Sequence, residues 1–139
     1  MRKLALVLGF LLVFAESAWA DVVAHIHLWS RTMDVSVDGV QRYSWPVSTA
    51  RFGFRTPIGD YRPVRLERVW FSTIYDNAPM PFAIFFMDGY AIHGTNDSAS
   101  IGRRASHGCV RLDTANAATL FRLVRQQGFA NTSIIITRF

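Results

Sequence analysis

From Val22 to Trp29 the apolar residues Ala24, Ile26 and Leu28 occupy alternate positions, with His25 and His27 between them. A period of two turns one face toward a core and the other toward water, as on a half-buried β-strand. Met33, Val35 and Val37 alternate in the same way with Asp34, Ser36 and Asp38. Asp38-Gly39 then supplies the two residues of a tight hairpin turn into Val40 to Val47. A chain patterned this way is committed to a sheet. The His25-x-His27 pair reads as the outer face of a strand, since no carboxylate or thiol stands at ligand spacing beside it.

The later segments extend that scaffold. Pro46 to Ala50 and Thr56 to Asp60 read as a strand end, a loop and a turn, because Pro57 and Gly59 restrict where strands can run. Arg62 to Trp70 mixes Val64, Leu66 and Val69 with Arg65, Glu67 and Arg68, the pattern of a partly exposed strand. Phe71 to Pro81 is a loop in which Tyr75, like Trp70 before it, either packs on the core or lines a groove. Phe82 to Met87, Asp88-Gly89 and Tyr90 to His93 form a second hairpin, expected to carry His93 to a strand end at the edge of the sheet. Asp113 to Gln127 repeats Ala117, Leu120, Phe121 and Val124 at helical spacing. Asp113 or Thr114 caps its start, and Gly128 stops it. Ser133 to Arg138 closes the fold as a strand. The expected class is mainly β with one principal α-helix.

Residues 1–20 read as a secretory signal peptide: basic Arg2 and Lys3, an apolar run from Leu4 to Ala15, and the small-x-small pattern Ala18-Trp19-Ala20. The run is shorter than the roughly 20 residues needed to span a bilayer. No cysteine follows it directly, which excludes a lipid-anchored lipoprotein. Residues 21–139 are then one domain with a single core, with no integral membrane segment after cleavage. Loss of Arg2, Lys3 and Glu16 lowers the formal charge from +5 to +4. Lys3 is the only lysine, so every basic residue beyond the leader is arginine, a planar fork suited to carboxylates and phosphates. For an exported protein, cell-wall polymers, peptide carboxylates and anionic lipids are the anionic partners to expect, and nucleic acid is not. Most of these arginines, Arg103 and Arg104 among them, read as a solvated surface.

The stretch from His93 to Arg111 carries the chemistry. It contains the only cysteine, Cys109, and two of the four histidines, His93 and His107. A single cysteine forms no internal disulfide, and this one sits among Gly, Ser, His and Arg rather than in an apolar run. A thiol works as a nucleophile when a neighbouring base or cation draws off its proton. His93 and His107 are candidate bases, and Arg103, Arg104 and Arg111 add positive field. His107 lies two residues from Cys109, on the same side of an extended segment. Gly94, Gly102 and Gly108 let the intervening residues fold back, so that His93 reaches the thiol. Gly108 also permits a sharp turn that frees amide N–H groups for an oxyanion. The start of the helix after Cys109 adds a dipole that favours thiolate where the geometry aligns. The residues alone thus describe cysteine acyl transfer, with a backbone carbonyl near Gly94 as the group that orients the base.

Ala-Ile-His-Gly-Thr (91–95) and Ser-His-Gly-Cys-Val-Arg-Leu (106–112) together resemble the signature of the L,D-transpeptidase (YkuD-like) catalytic domain, and Pro46 to Asp60 fits the weaker upstream block. Alanine at 50 departs from the glycine usual there. The resemblance implies a β-sandwich-like fold over residues 21–139 and a thioester enzyme acting on peptidoglycan tetrapeptide stems in the periplasm or cell-wall space. It further implies that Cys109 is the nucleophile and His93 the general base. His107, Ser106 and Gly108 then shape the motif and its oxyanion site, with Gly94 in support, while Arg111 and Thr95 meet substrate. No cofactor or metal is implied, although His93, His107 and Cys109 are all capable zinc ligands. Two other readings are carried forward. One is a hydrolase of the same bond, an L,D-carboxypeptidase, endopeptidase or amidase releasing peptide or wall-attached protein. The other is a non-catalytic cell-wall-binding module.

Overall fold

The computed structural model describes residues 21–139, so the leader read over residues 1–20 lies outside the described residues. The chain runs through β1 (Val22–His27), β2 (Thr32–Val37), β3 (Val40–Pro46), β4 (Thr49–Ala50), β5 (Gly59–Tyr61) and β6 (Arg65–Glu67). It continues through β7 (Ala83–Met87), β8 (Tyr90–Thr95), β9 (Arg104–Ser106), β10 (Val110–Asp113), α1 (Thr114–Gln127) and β11 (Thr132–Thr137). Short 3-10 turns occupy Ser98–Ser100 and Phe129–Asn131.

The opening alternation is realised directly. Val22, Ala24 and Ile26 are buried on β1 while Val23, His25 and His27 stay partly exposed. At the turn between β2 and β3, Asp38 and Gly39 have φ of 54° and 76°. Both values lie in the left-handed region that a two-residue hairpin turn requires. One sheet has the order β3-β2-β1-β11-β5, and β11 runs parallel to β1. The second has the order β10-β8-β7-β6, and β4 pairs with β9 as a small parallel ribbon.

Three expectations change. The strand read from Arg62 to Trp70 shortens to β6, because Pro63 lacks the N–H a ladder needs and Val64 and Val69 lie exposed. Gly59 to Tyr61 instead joins β11 at the edge of the first sheet. The strand bearing His93 is not an edge strand: β8 sits between β7 and β10. It became interior because Val110 to Asp113, too short to announce itself by pattern, forms β10 in parallel register with it.

One core cluster joins Ile26 and Met33 of the first sheet, Ile92 and Leu112 of the second, and Leu120 and Val124 of α1. Each such side chain contributes roughly 1.5–3 kcal/mol by leaving water. Helix α1 packs on β8 and β10 and reaches β1. Its first turn is capped by Asp113, whose Oδ1 accepts from the Ala115 N–H at 3.0 Å. It ends where Gly128, at φ 87°, turns the chain away. With β8 and β10 held side by side beneath this helix, Arg111 is level with His93 and Val110 with Ile92.

Candidate active site

His93 comes from the interior strand β8 and is 5% exposed. Its Nδ1 lies 2.8 Å from the carbonyl oxygen of Gly94. A carbonyl only accepts, so Nδ1 carries the proton and Nε2 keeps its lone pair. The orienting group is thus the Gly94 carbonyl. Burial pushes the imidazole down to about 4; the Gly94 hydrogen bond opposes that shift, and the positive charge of Arg111 adds to it. Near neutral pH this ring is an unprotonated base.

Cys109 lies half-buried just before β10, packed with Trp70 against the small apolar cluster of Met80, Ala83, Phe85 and Ala91. Its Sγ is 3.8 Å from the Gly89 carbonyl in the turn between β7 and β8. Burial raises the thiol above its ordinary value, while the Ala91 amide and the Arg111 charge pull the other way. The resting sulfur is therefore a neutral thiol lining the same cavity as a neutral imidazole, not the ionised sulfur expected from the positive residues nearby. The helix dipole does not change this. Four residues of β10, about 13 Å of strand, separate the cysteine from α1, and the dipole fades within a turn.

Ser106 has no exposed surface. Its hydroxyl donates to the Cys109 carbonyl at 2.6 Å and accepts the Gly108 N–H at 3.0 Å. These two bonds cinch the residues of the motif into a tight loop, with Gly108 at φ 136°. The Gly108 amide, expected to be free for an oxyanion, is thus already committed to Ser106.

His107 has a different occupation from His93. Its Nε2 lies 2.7 Å from Nη2 of Arg51, which can only donate, so that nitrogen is an acceptor and the ring is neutral. Tyr75 stacks on the ring at 3.8 Å with planes 6° apart, and Phe54 meets it edge-on at 4.8 Å. Burial and the charges of Arg51 and Arg111 lower its pKa. His107 is held as an aromatic wall. Arg51 and Phe54 lie within the upstream block Pro46 to Asp60, but nothing in the sequence links them to His107, more than 50 residues later, which they meet only in the fold.

A cavity of about 490 Å³ collects these groups. His93, His107, Cys109, Arg111 and Thr95 line it, together with Tyr75, Pro79 and Met80 from the loop before β7. Gly94 and Ser106 stand behind the lining. Gly94 is close-packed: an added Cβ would lie 3.0 Å from Thr114 Cα. Thr95 uses its hydroxyl to accept the Asp97 N–H and its carbonyl to accept from Thr114, fixing the end of β8. Elsewhere, His27 pairs with Asp34 at 3.2 Å and His25 with Thr137 at 2.9 Å. Among the described residues, no three His, Cys, Asp or Glu side chains gather as a metal site would require. No helix there is long and apolar enough to cross a membrane.

The family model of the L,D-transpeptidase catalytic domain matches residues 21–136. The chain belongs to this family. A Bacillus subtilis L,D-transpeptidase relative, YkuD, is 25% identical over 103 residues, 71% of this chain and 58% of its own. An L,D-transpeptidase from Mycobacterium tuberculosis H37Rv has the same fold, with a TM-score of 0.76 at 21% identity, covering 85% of this chain and 58% of that one. L,D-transpeptidase 3 from Mycobacterium tuberculosis, solved with a faropenem-derived adduct, superposes with a TM-score of 0.72 at 20% identity, over 85% of this chain and 60% of that one. The chain thus spans somewhat more than half the length of these L,D-transpeptidases.

Proposed function

We propose that the protein is a cysteine L,D-transpeptidase acting outside the cytoplasm on peptidoglycan tetrapeptide stems, with residues 1–20 as its export signal. The carrying observation is an unprotonated His93, its Nδ1 tied to Gly94, opening on the same cavity as the Cys109 thiol. With both groups neutral at rest, the proton moves as the attack occurs. His93 Nε2 takes the thiol proton while Sγ bonds to the carbonyl carbon before the terminal D-alanine. The tetrahedral oxyanion meets the Cys109 N–H, since that of Gly108 is engaged. Collapse breaks the C–N bond, and the imidazolium returns its proton to the leaving amine, leaving a thioester. The side-chain amine of a second stem then attacks the thioester, gives a proton to the base and restores the thiol, completing a cross-link. Arg111 and Thr95 hold substrate at the rim, and His107 shapes the wall.

Incubation with faropenem, followed by intact-protein mass spectrometry, tests the nucleophile. The wild-type protein should gain one adduct, and Cys109→Ala none. A folded wild-type sample that stays unmodified defeats the proposal. Disaccharide-tetrapeptide then separates the reactions: dimer formation means transfer, whereas tripeptide alone means that water is the acceptor and the protein is a hydrolase.

A further inference from the structure

A second cavity, of about 650 Å³, opens where β1 and β11 end. Four of its lining residues are arginines, Arg31, Arg55, Arg104 and Arg138, and no acidic residue lines it among the described residues. Two of them are fixed by main-chain oxygens: Arg31 Nε donates to Gly102 at 2.7 Å, and Arg104 Nε to Ala50 at 3.1 Å. Arg31 is held there at φ 54°, a backbone setting that disfavours a side chain and that glycine would take more cheaply. Arg55 and Arg138 are exposed and make no side-chain hydrogen bond or ion pair among the described residues.

Four like charges around one recess repel each other unless an anion sits between them, and the guanidinium fork matches a carboxylate. The rest of the wall is largely apolar and includes Phe54 and the indole of Trp29, which is 73% exposed. A flat, exposed aromatic beside charge suits the C–H face of a sugar ring, which has an apolar face and polar edges. The recess has the volume of a ligand site, whereas a membrane surface would call for a protruding face. Phe54 also joins this cavity to the cleft: it lines the one and meets the ring of His107, which lines the other.

We propose that this arginine-lined cavity binds a carboxylate-bearing carbohydrate chain, with Trp29 and Phe54 against its sugar rings. That this chain is a stem-free stretch of the polymer whose remaining stems enter the Cys109 cleft rests on the function proposed above; the affinity for acidic sugar does not.

Binding is measured by calorimetry and tryptophan fluorescence on the Cys109→Ala protein. The probe is peptidoglycan glycan chains stripped of their stems, which carry one lactyl carboxylate on every second sugar. Chitin oligosaccharides of equal length are the neutral control, and phosphatidylglycerol vesicles the membrane control. The stripped chains should bind at least about tenfold more tightly than chitin. Arg55→Gln with Arg138→Gln, and separately Trp29→Ala, should each weaken that binding about tenfold. Equal affinity for acidic and neutral chains, or unchanged affinity in the double arginine variant, overturns the proposal. So does binding to vesicles alone. Faropenem labelling of the same arginine variants with Cys109 restored reports that the fold is intact. Loss of glycan binding with labelling retained supports the site. Retained glycan binding in a wild-type protein that faropenem fails to label leaves this site standing and removes the enzymatic reading.

Discussion

A methyl group placed on Gly108 would lie 2.5 Å from Cε1 of Tyr90 and 2.8 Å from the main-chain oxygen of Arg55. A carbonyl oxygen does not swing aside as the end of a side chain can, and φ 136° is a setting that other residues rarely take. Gly108→Ala should therefore destabilise the protein by about 3 kcal/mol and abolish faropenem labelling. Gly102→Ala is the control. Its φ is 83° but nothing lies within 4 Å, so it should lose only about 1 kcal/mol and keep labelling. Urea midpoints and mass spectrometry read both effects. At this scale the motif was legible, because His93, Ser106 and Cys109 stand in one ordered run. The partners of His107 were not, since Arg51 and Tyr75 reach it only through the folded arrangement of two separate loops. Nor was the charge state of the sulfur. Nearby arginines in a sequence suggest ionisation, but burial outweighs them at Cys109.

Among the elements, α1 and the first hairpin were readable because each carries a full period of buried side chains and a recognisable turn or cap. Asp113 supplies that cap through the Ala115 N–H. Asp113→Ala should cost about 1 kcal/mol and lower the thermal midpoint by a few degrees, with the helical circular dichroism retained. An unchanged midpoint would show that packing on β8 and β10 alone holds the first turn. The short strands were not readable. β10 is four residues long and β6 three, too few for alternation to stand out, and their pairing depends on β8 and β7 arriving beside them. The error about the edge of the sheet followed from the same gap.

For the molecule as a whole, His93 links stability to acidity. Folding holds its imidazole at about 4 against an ordinary value of 6.5, chiefly because it is buried. Between those values the unfolded chain takes up a proton that the native one refuses. Stability is therefore complete above pH 6.5 and falls as the solution is acidified toward pH 4, by roughly 3 kcal/mol in total. Urea unfolding at pH 7 and pH 4.5 should show a smaller drop for His93→Asn than for the wild type. Equal drops would mean that other groups carry the acid sensitivity.

The order of the first sheet has its own consequence. β11, the last strand of the chain, takes an inner place between β1 and β5, and Val22 pairs with Thr132 across nearly the whole described length. Non-local pairing of this kind is slow to form. A ribosome releasing the chain from its beginning would hand over β1, β2 and β3 as a ribbon with one side bare until Thr137 emerged. Until then that bare edge carries unpaired N–H and C=O groups open to pairing with another chain.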